Sequence, residues 1–329
     1  MSGQDPLKRY RSTIERGLRA ALAREGALAR IGRYHIGLED EQGQSSAAFG
    51  KFLRPAIALF VAEDLGGHPE GVLPAALGLE LIHSFSLVHD DIQDQDETRR
   101  GRPAVWTLWG VYEAINAGDY LHALATDSAL RAGAQAAAEL TRATASMIEG
   151  QSLDLSFEMR FVGEEEYVEI VDRKTGALFS CAFALGGICA GANEDVLVQL
   201  RSLGRSLGRA FQIQDDALGI WGDGEAFGKP IGSDIRRRKK SYPLAAVHPR
   251  TEGEQQQRLE AIYADESVSD EDVAWVVELM EGLGVRADVE RAVDRHSSEA
   301  AEILRALPFS DAGQEELEAL IERLARRDR

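Results

Sequence analysis

Residues 89–101 read HDDIQDQDETRRG: Asp90, Asp91, Asp94, Asp96 and Glu97 crowd together, and Arg99 and Arg100 follow at once. If the helix entering this stretch carries through Asp94, then Asp90 and Asp94 project from one face, about 6 Å apart along the axis. Like charges at that spacing destabilise a helix unless something sits between them. Mg2+ suits the gap, because it takes hard oxygen ligands and is commonly held by one or two carboxylates plus substrate phosphates. The bland alternative is a frayed helix end with solvated acids. The preceding segment, GVLPAALGLELIHSFSLVHDDI, weakens that alternative: it is apolar nearly all round and would deliver the acids to an interior or a cleft. His83 lies seven residues before Asp90, nearly on the same stripe. A lone histidine on an apolar helix is more often a satisfied core residue, and alignment with the acids lowers that preference here.

A second segment repeats the pattern. FQIQDDALGIWGD closes another apolar run with Asp215 and Asp216, followed by GKPIGSD and RRRKKSYP. One such pair is explained about as well by a solvated helix end. Two pairs, with no Cys/His site competing, suggest helices sharing a metal–diphosphate cluster in which Mg2+ bridges carboxylate and diphosphate. The run RRRKK at 236–240 is the densest positive segment, readable as a solvated loop or as an anion contact.

These groups must be carried by long Ala/Leu-rich helices. RYRSTIERGLRAALARE has helical spacing, Pro55 stands where it can open a helix in RPAIALFVAEDL, and a break near Gly133 divides the stretch from Tyr120 to Leu155 into two helices. VLVQLRSLGRSLGRAFQIQDDAL reads as a further long helix and QEELEALIERLARR as an amphipathic one. Alternating strand patterns are scarce, so the expectation is one all-α domain over residues 1–329, with its chief loops near 36–50, 223–236 and 248–256. The chain has 44% apolar residues and nine prolines, which fits a globular protein and argues against disorder. A net charge of −18 excludes nonspecific nucleic-acid binding and requires any anionic substrate to meet a local cluster of Lys and Arg. Two cysteines, Cys181 and Cys189, read as a reduced cytoplasmic protein. The charged start MSGQDPLKRYRSTIERGL is unlike a signal peptide, and no membrane span is expected.

With GKFLRP, LIHSFSLVHDDIQDQDETRRGRP, RKTGALF, FQIQDD and GKPIGSDIRRRKKSYP in this order, residues 45 to 245 strongly resemble the trans-isoprenyl diphosphate synthases of the polyprenyl synthetase family. The resemblance implies an all-α isoprenoid synthase fold, helices around a deep central cavity, in a homodimer. It implies that Asp90, Asp91 and Asp94 form the DDxxD motif. Asp90 and Asp94 would hold two Mg2+ on an allylic diphosphate, with Asp215 holding a third. Arg99, Lys174 and Lys239, helped by Lys229, would grip that diphosphate. Gly50, Lys51, Arg54, His83 and Arg100 match the pocket for isopentenyl diphosphate, and Thr175 and Gln212 match positions beside the reacting carbons.

The reaction so implied is head-to-tail condensation: diphosphate departs, an allylic cation develops, the C=C bond of isopentenyl diphosphate attacks it, and a proton is lost. Charge stabilisation of the leaving group and exclusion of water would carry the catalysis. Phe85, with Ser86 beside it, resembles the pattern of C20 producers, pointing to geranylgeranyl diphosphate ahead of farnesyl or C25 and longer products. Five residues rotate Phe85 by about 140° from Asp90, so ordinary core packing explains it as well. Three positions depart from the family pattern: Gly219 replaces the third acid of the second motif, Phe49 stands in a customary glycine pair, and Phe52 replaces a customary basic residue. A class I terpene cyclase or a catalytically silent partner subunit are the competing readings. GKFLRP and the downstream lysines favour elongation over cyclisation.

Overall fold

The computed structural model describes residues 6–46, 48–157, 160–222, 231–265 and 267–326. In chain order the helices are α1 (Pro6–Arg9), α2 (Arg11–Ala21), α3 (Ala27–Ile36), α4 (Leu53–Asp64) and α5 (Pro69–Gln93). A hairpin of β1 (Thr98–Arg99) and β2 (Arg102–Pro103) precedes α6 (Val105–Trp109), α7 (Val111–Leu130), α8 (Ala134–Phe157) and α9 (Glu164–Val171). A π-helical turn (Asp172–Gly176) leads into α10 (Ala177–Cys189) and α11 (Glu194–Trp221). The remainder is α12 (Ser233–Arg236), α13 (Tyr242–Val247), a 3-10 turn (His248–Arg250), α14 (Gly253–Ala264), α15 (Asp270–Gly282), α16 (Val285–Ala306) and α17 (Asp311–Arg326). The all-α expectation holds, and Gly133, at φ 109°, breaks the chain between α7 and α8 where expected.

Two compact units share the chain. Unit 1 comprises 1–144, 180–201 and 307–316; unit 2 comprises 145–179, 202–306 and 317–329.

In unit 1, α5 is the central element and packs along α7 and α4. Pro69 opens it at a position where a missing N–H costs nothing. Pro74 lies inside it, and Ser128 of α7 donates a hydrogen bond of 2.7 Å to the Pro74 carbonyl. Leu79, Leu81, Ile82 and Val88 are fully buried along its length. By length and apolarity α5 would suffice to cross a membrane, but 67% of that stretch is buried inside the protein, as in a core helix.

In unit 2, Tyr167, Val171, Ile213, Ile220, Tyr242 and Val276 belong to one core cluster that joins α9, α11, α13 and α15. The π turn sits directly against α8 at Gly150. A Cβ there would lie 2.7 Å from the Arg173 carbonyl carbon, so only glycine permits this approach. Single π turns inside α-helical runs recur at functional sites, and this one carries Lys174 and Thr175.

The loop expectations fare unevenly. The chain between α3 and α4 is irregular, closed by one bridge between Glu39 and Ser45. Of 223–236, residues 223–230 lie outside the described residues, and 233–236 form the short helix α12 behind Gly232 at φ 70°. The 248–256 stretch is mostly helical: Thr251 donates 2.8 Å to the His248 carbonyl, and α14 begins at Gly253. The β1–β2 hairpin was not foreseen, because two-residue strands are too short to show alternation.

Replacing Gly150 with Ala should cost about 1–3 kcal/mol, the usual penalty for overpacking. Thermal unfolding followed by circular dichroism checks this; a variant that melts with the parent would contradict the close approach at the π turn.

Candidate functional site

Unit 1 brings the first acidic motif to the end of α5. Asp94 is the residue that caps the helix, and its N–H donates 2.8 Å to the Asp90 carbonyl, so the four-residue spacing survives through the last turn. Asp90 is half-buried and Asp94 exposed, whereas the Asp91 residue is completely buried. Arg99 explains the difference: its Nε donates 2.7 Å to Asp91 Oδ1 and its Nη2 reaches the same oxygen. Burial works against the Arg99 charge, but the hydrogen bond and charge of Asp91 outweigh it and raise its pKa further.

The hairpin presents the arginines. Thr98 pairs with Pro103 and Arg99 with Arg102, leaving Arg100 and Gly101 as a two-residue turn with φ of 56° and 72°. Both positive φ values are those of the turn type whose twist suits a hairpin. Gly101 adopts this freely, but Arg100 is a large side chain held in the left-handed region, a conformation that clusters at functional positions. The signal in the sequence was Arg-Gly after an acidic helix end.

Arg54 on α4 and His83 on α5 share an electrostatic neighbourhood with Arg100. Burial first, then the charges of Arg54 and Arg100, push His83 well below its ordinary pKa, so the imidazole is neutral. Burial brings the Arg54 pKa down to about 10, with Glu80 opposing the shift. Lys51 is exposed, and Gly50 is half-buried beside it. The two aromatic departures pack on each other: the rings of Phe49 and Phe52 stack at 5.2 Å, and the Arg11 guanidinium lies 4.7 Å over Phe49. Phe52 is 2% exposed and adopts φ 52° at the N-cap of α4. Phe85 is buried, its ring 4.9 Å from His89 and 5.3 Å from His122. Ser86 donates 2.9 Å to the His83 carbonyl.

Glu80 is the residue that motif reasoning passed over. It is 4% exposed, one turn before His83, with a pKa pushed up to about 7 because burial outweighs the nearby charges of Arg100 and Arg54. A carboxyl in the middle of an apolar helix was the signal that could have found it.

Unit 2 gathers the second motif around Asp216, which is fully buried. It accepts hydrogen bonds from Lys239 Nζ at 2.8 Å, Tyr242 N at 2.9 Å, Gln212 Nε2 at 3.1 Å and the Tyr167 hydroxyl. Asp215 stays half-buried on the more open side. Lys239 lies among Asp216, Asp234 and Asp215, whose charges outweigh burial and raise its pKa. Thr175 of the π turn donates 2.8 Å to Gln212 Oε1, and Lys174 bonds to Asp154 at 2.6 Å. Lys229 lies outside the described residues. Asp154 and Tyr167 lie outside the quoted motifs, and Tyr242, although inside the last of them, has a role that depends on chain segments far apart in sequence.

The structure also accounts for Gly219. A Cβ there would run into the carboxylate of Asp234, which is 7% exposed and lies 3.4 Å from Lys239 Nζ. The missing third acid therefore corresponds to space filled by a carboxylate from α12. The basic run around α12 is mostly engaged as well. Arg236 pairs with Asp270 at 2.6 Å, Arg238 donates to the Asp265 carbonyl, and Lys240 stands 4.0 Å over the Phe161 ring. Arg236, Arg237 and Lys239 of the run are nonetheless exposed.

Among the described residues no group of three or more His, Cys, Asp or Glu side chains is arranged to hold a metal ion. The donors present still fit one: Asp90 and Asp94 offer hard oxygens one helical turn apart at an open helix end. Such a set suits a hard divalent cation that completes its shell with water and substrate phosphate, and would not suit an all-protein cage.

Comparison with known proteins agrees with this chemistry. The family model described as polyprenyl synthetase matches residues 41–280. The (2E,6E)-farnesyl diphosphate synthase of Mycobacterium tuberculosis is 39% identical over 300 residues, covering 87% of this chain and 82% of that protein. The geranylgeranyl diphosphate synthase of Saccharolobus solfataricus is 38% identical over 283 residues, covering 83% and 85%. A crystal structure of geranylgeranyl pyrophosphate synthase from Corynebacterium glutamicum, complexed with isoprenyl diphosphate and magnesium, superposes with a TM-score of 0.84 at 27% identity, over 98% of this chain and 99% of that one.

Glu80 makes a pH-dependent prediction. A carboxyl with a folded pKa of about 7 and an ordinary value of 4.5 takes up a proton on folding, so its contribution is present below 4.5 and lost as pH rises through 7. The stability of Glu80→Gln relative to the parent should therefore rise by up to roughly 3 kcal/mol between about pH 5 and pH 8. Urea unfolding at both pH values reads it, and a pH-independent difference would place Glu80 in a solvated site.

Proposed function

Because the chain belongs to the polyprenyl synthetase family and is a prenyltransferase that makes trans-prenyl diphosphates, we propose that it condenses isopentenyl diphosphate with allylic diphosphates to give geranylgeranyl diphosphate. The observation that carries this reading is the end of α5. There Asp90, half-buried, and Asp94, exposed, lie one turn apart, while Arg99 is bonded to Asp91 and holds the turn bearing Arg100. Acids for a cation and guanidiniums for anions are thus presented by one rigid corner.

In this reading Asp90, Asp94 and Asp215 hold Mg2+, three ions with substrate bound, and the magnesium in the Corynebacterium glutamicum complex supports the choice of metal. Bound there, the metal supplies positive charge to the allylic diphosphate. Arg99, Lys174 and Lys239, with Lys229, bind the same diphosphate and stabilise the charge it gains as its C–O bond breaks. Gly50, Lys51, Arg54, His83 and Arg100 bind isopentenyl diphosphate. The neutral His83 donates a hydrogen bond without adding to the positive charge of Arg54 and Arg100. Thr175 and Gln212, already bonded to each other, line the reacting carbons. The C=C electrons of isopentenyl diphosphate form the new C–C bond, and the proton lost from the condensed product goes to the released diphosphate.

Product length rests on Phe85. Its buried ring beside His89 and His122 supports a floor that stops the growing tail near twenty carbons. The 39% identity to a farnesyl diphosphate synthase favours a second reading, a shorter product from the same chemistry. The family match runs through both compact units, which supports one catalytic domain. Leu108, Val111, Tyr112 and Ile115 are exposed apolar residues on α6 and the start of α7, which supports a homodimer, placed here in the cytoplasm.

Asp90→Ala should lower turnover by a factor of about a thousand, the scale of lost leaving-group stabilisation, while the melting temperature stays within a few degrees of the parent. Near-normal turnover with isopentenyl diphosphate, an allylic diphosphate and Mg2+ would remove Asp90 from the site. Phe85→Ala should shift the products, sized by mass spectrometry, toward longer chains. An unchanged distribution would remove Phe85 as the floor.

A further inference from the structure

A histidine without a partner shares a recess with three guanidinium groups in unit 1. Below an open mouth the recess has room for about one water-sized group, about 10 Å³, and its lining includes Tyr34, His35, Ala48, Arg99, Arg100 and Arg102. Two of the arginines are occupied. Arg99 is bonded to Asp91, and Arg102 donates 3.0 Å to the Glu39 carbonyl while lying 4.0 Å from the centre of the Tyr34 ring. The Arg100 guanidinium reaches no described hydrogen-bond acceptor and is held in the recess by its strained turn.

His35 comes from α3 and is 8% exposed, with Nε2 fully buried and no hydrogen-bond partner among the described residues. An orphaned buried ring nitrogen is destabilising and calls for a ligand or a function. Its position is rigid: the Tyr34 hydroxyl donates 2.8 Å to the Pro103 carbonyl, and the Tyr34 ring packs edge-on against Trp109 at 4.9 Å. These contacts tie α3 to the hairpin that bears Arg100.

We propose that His35 is a further binding residue for isopentenyl diphosphate, its imidazole joining Arg100 in holding the diphosphate end in this recess. The inference rests on the reading above that Arg100 binds that substrate. Burial first, then the charges of Arg100, Arg99 and Arg102, bring the His35 pKa down to about 3, so the ring is neutral. A neutral imidazole offers an N–H donor without a fourth positive charge among three guanidiniums. The diphosphate oxygens supply the acceptor that the protein leaves out, and Arg100 supplies the counter-charge. His35 lies outside the GKFLRP and RRGRP segments, so motif reading alone did not reach it.

Steady-state kinetics on the full chain test this, with His35→Ala, His35→Gln and Arg100→Ala compared. A hydrogen bond to a charged ligand predicts that His35→Ala raises the KM for isopentenyl diphosphate about tenfold or more. The KM for the allylic substrate should stay within about twofold of the parent, and His35→Gln, which keeps an N–H donor and most of the volume, should recover most of the loss. Calorimetry with isopentenyl diphosphate should show the same loss of affinity. If Arg100→Ala raises that KM and His35→Ala does not, the inference about His35 is overturned and the site reading stands. If neither variant moves it, the site reading itself fails. A rise in both KM values would make His35 a structural residue only. Should the alanine variant fold poorly, nitrogen NMR of the parent decides: the His35 ring resonances, identified by their absence in His35→Gln, must shift on titration with isopentenyl diphosphate. Resonances that stay put overturn the proposal.

Discussion

Each Asp-Asp pair buries its second carboxylate against a cation that itself stays partly exposed. Asp91 is held by Arg99, and Asp216 by Lys239 together with Tyr242 N, Gln212 and Tyr167. Removing the cation would leave a buried carboxylate uncompensated, which is the costly side of such a pair. Each pair therefore anchors the end of a long helix while the first acid, Asp90 or Asp215, remains on the more open side. The other features of the site depend on these anchors: the hairpin is bonded to Asp91, and the segment bearing Lys239 and Tyr242 is bonded to Asp216.

The electrostatics follow from where the anchors lie. Clustered cations await anionic ligands, and burial offers them little water. Arg54 and the two imidazoles of His35 and His83 respond by moving toward neutrality. Glu80 likewise moves toward neutrality, holding its proton because desolvation outweighs two nearby guanidiniums, which leaves the charges of Arg54 and Arg100 less compensated. The protein thus keeps more charge near Arg100 than it neutralises. That imbalance suits a triply or doubly charged diphosphate arriving from solvent and disfavours a neutral ligand.

The departures from the family pattern make local physical sense. Gly219 gives up a carboxylate where Asp234 supplies one from another segment. Phe52 gives up a positive charge at a position that is buried and stacked on Phe49.

The sequence by itself determined the helical class, because 3.6-residue periodicity and the scarcity of alternation are local properties. It also determined the reactive inventory, because Asp90 and Asp94 are brought together by helical pitch alone and the motif order identifies the family. Tertiary structure decided which acid in each pair is a pillar and which stays open, since neighbours in sequence differ only in the direction they face. It decided the left-handed turn at Arg100, the π turn behind Lys174, and the recruitment of Glu80, Asp154, Tyr167, Asp234 and His35. Burial and contact between distant segments are sums over the whole fold, and no short stretch of residues carries them.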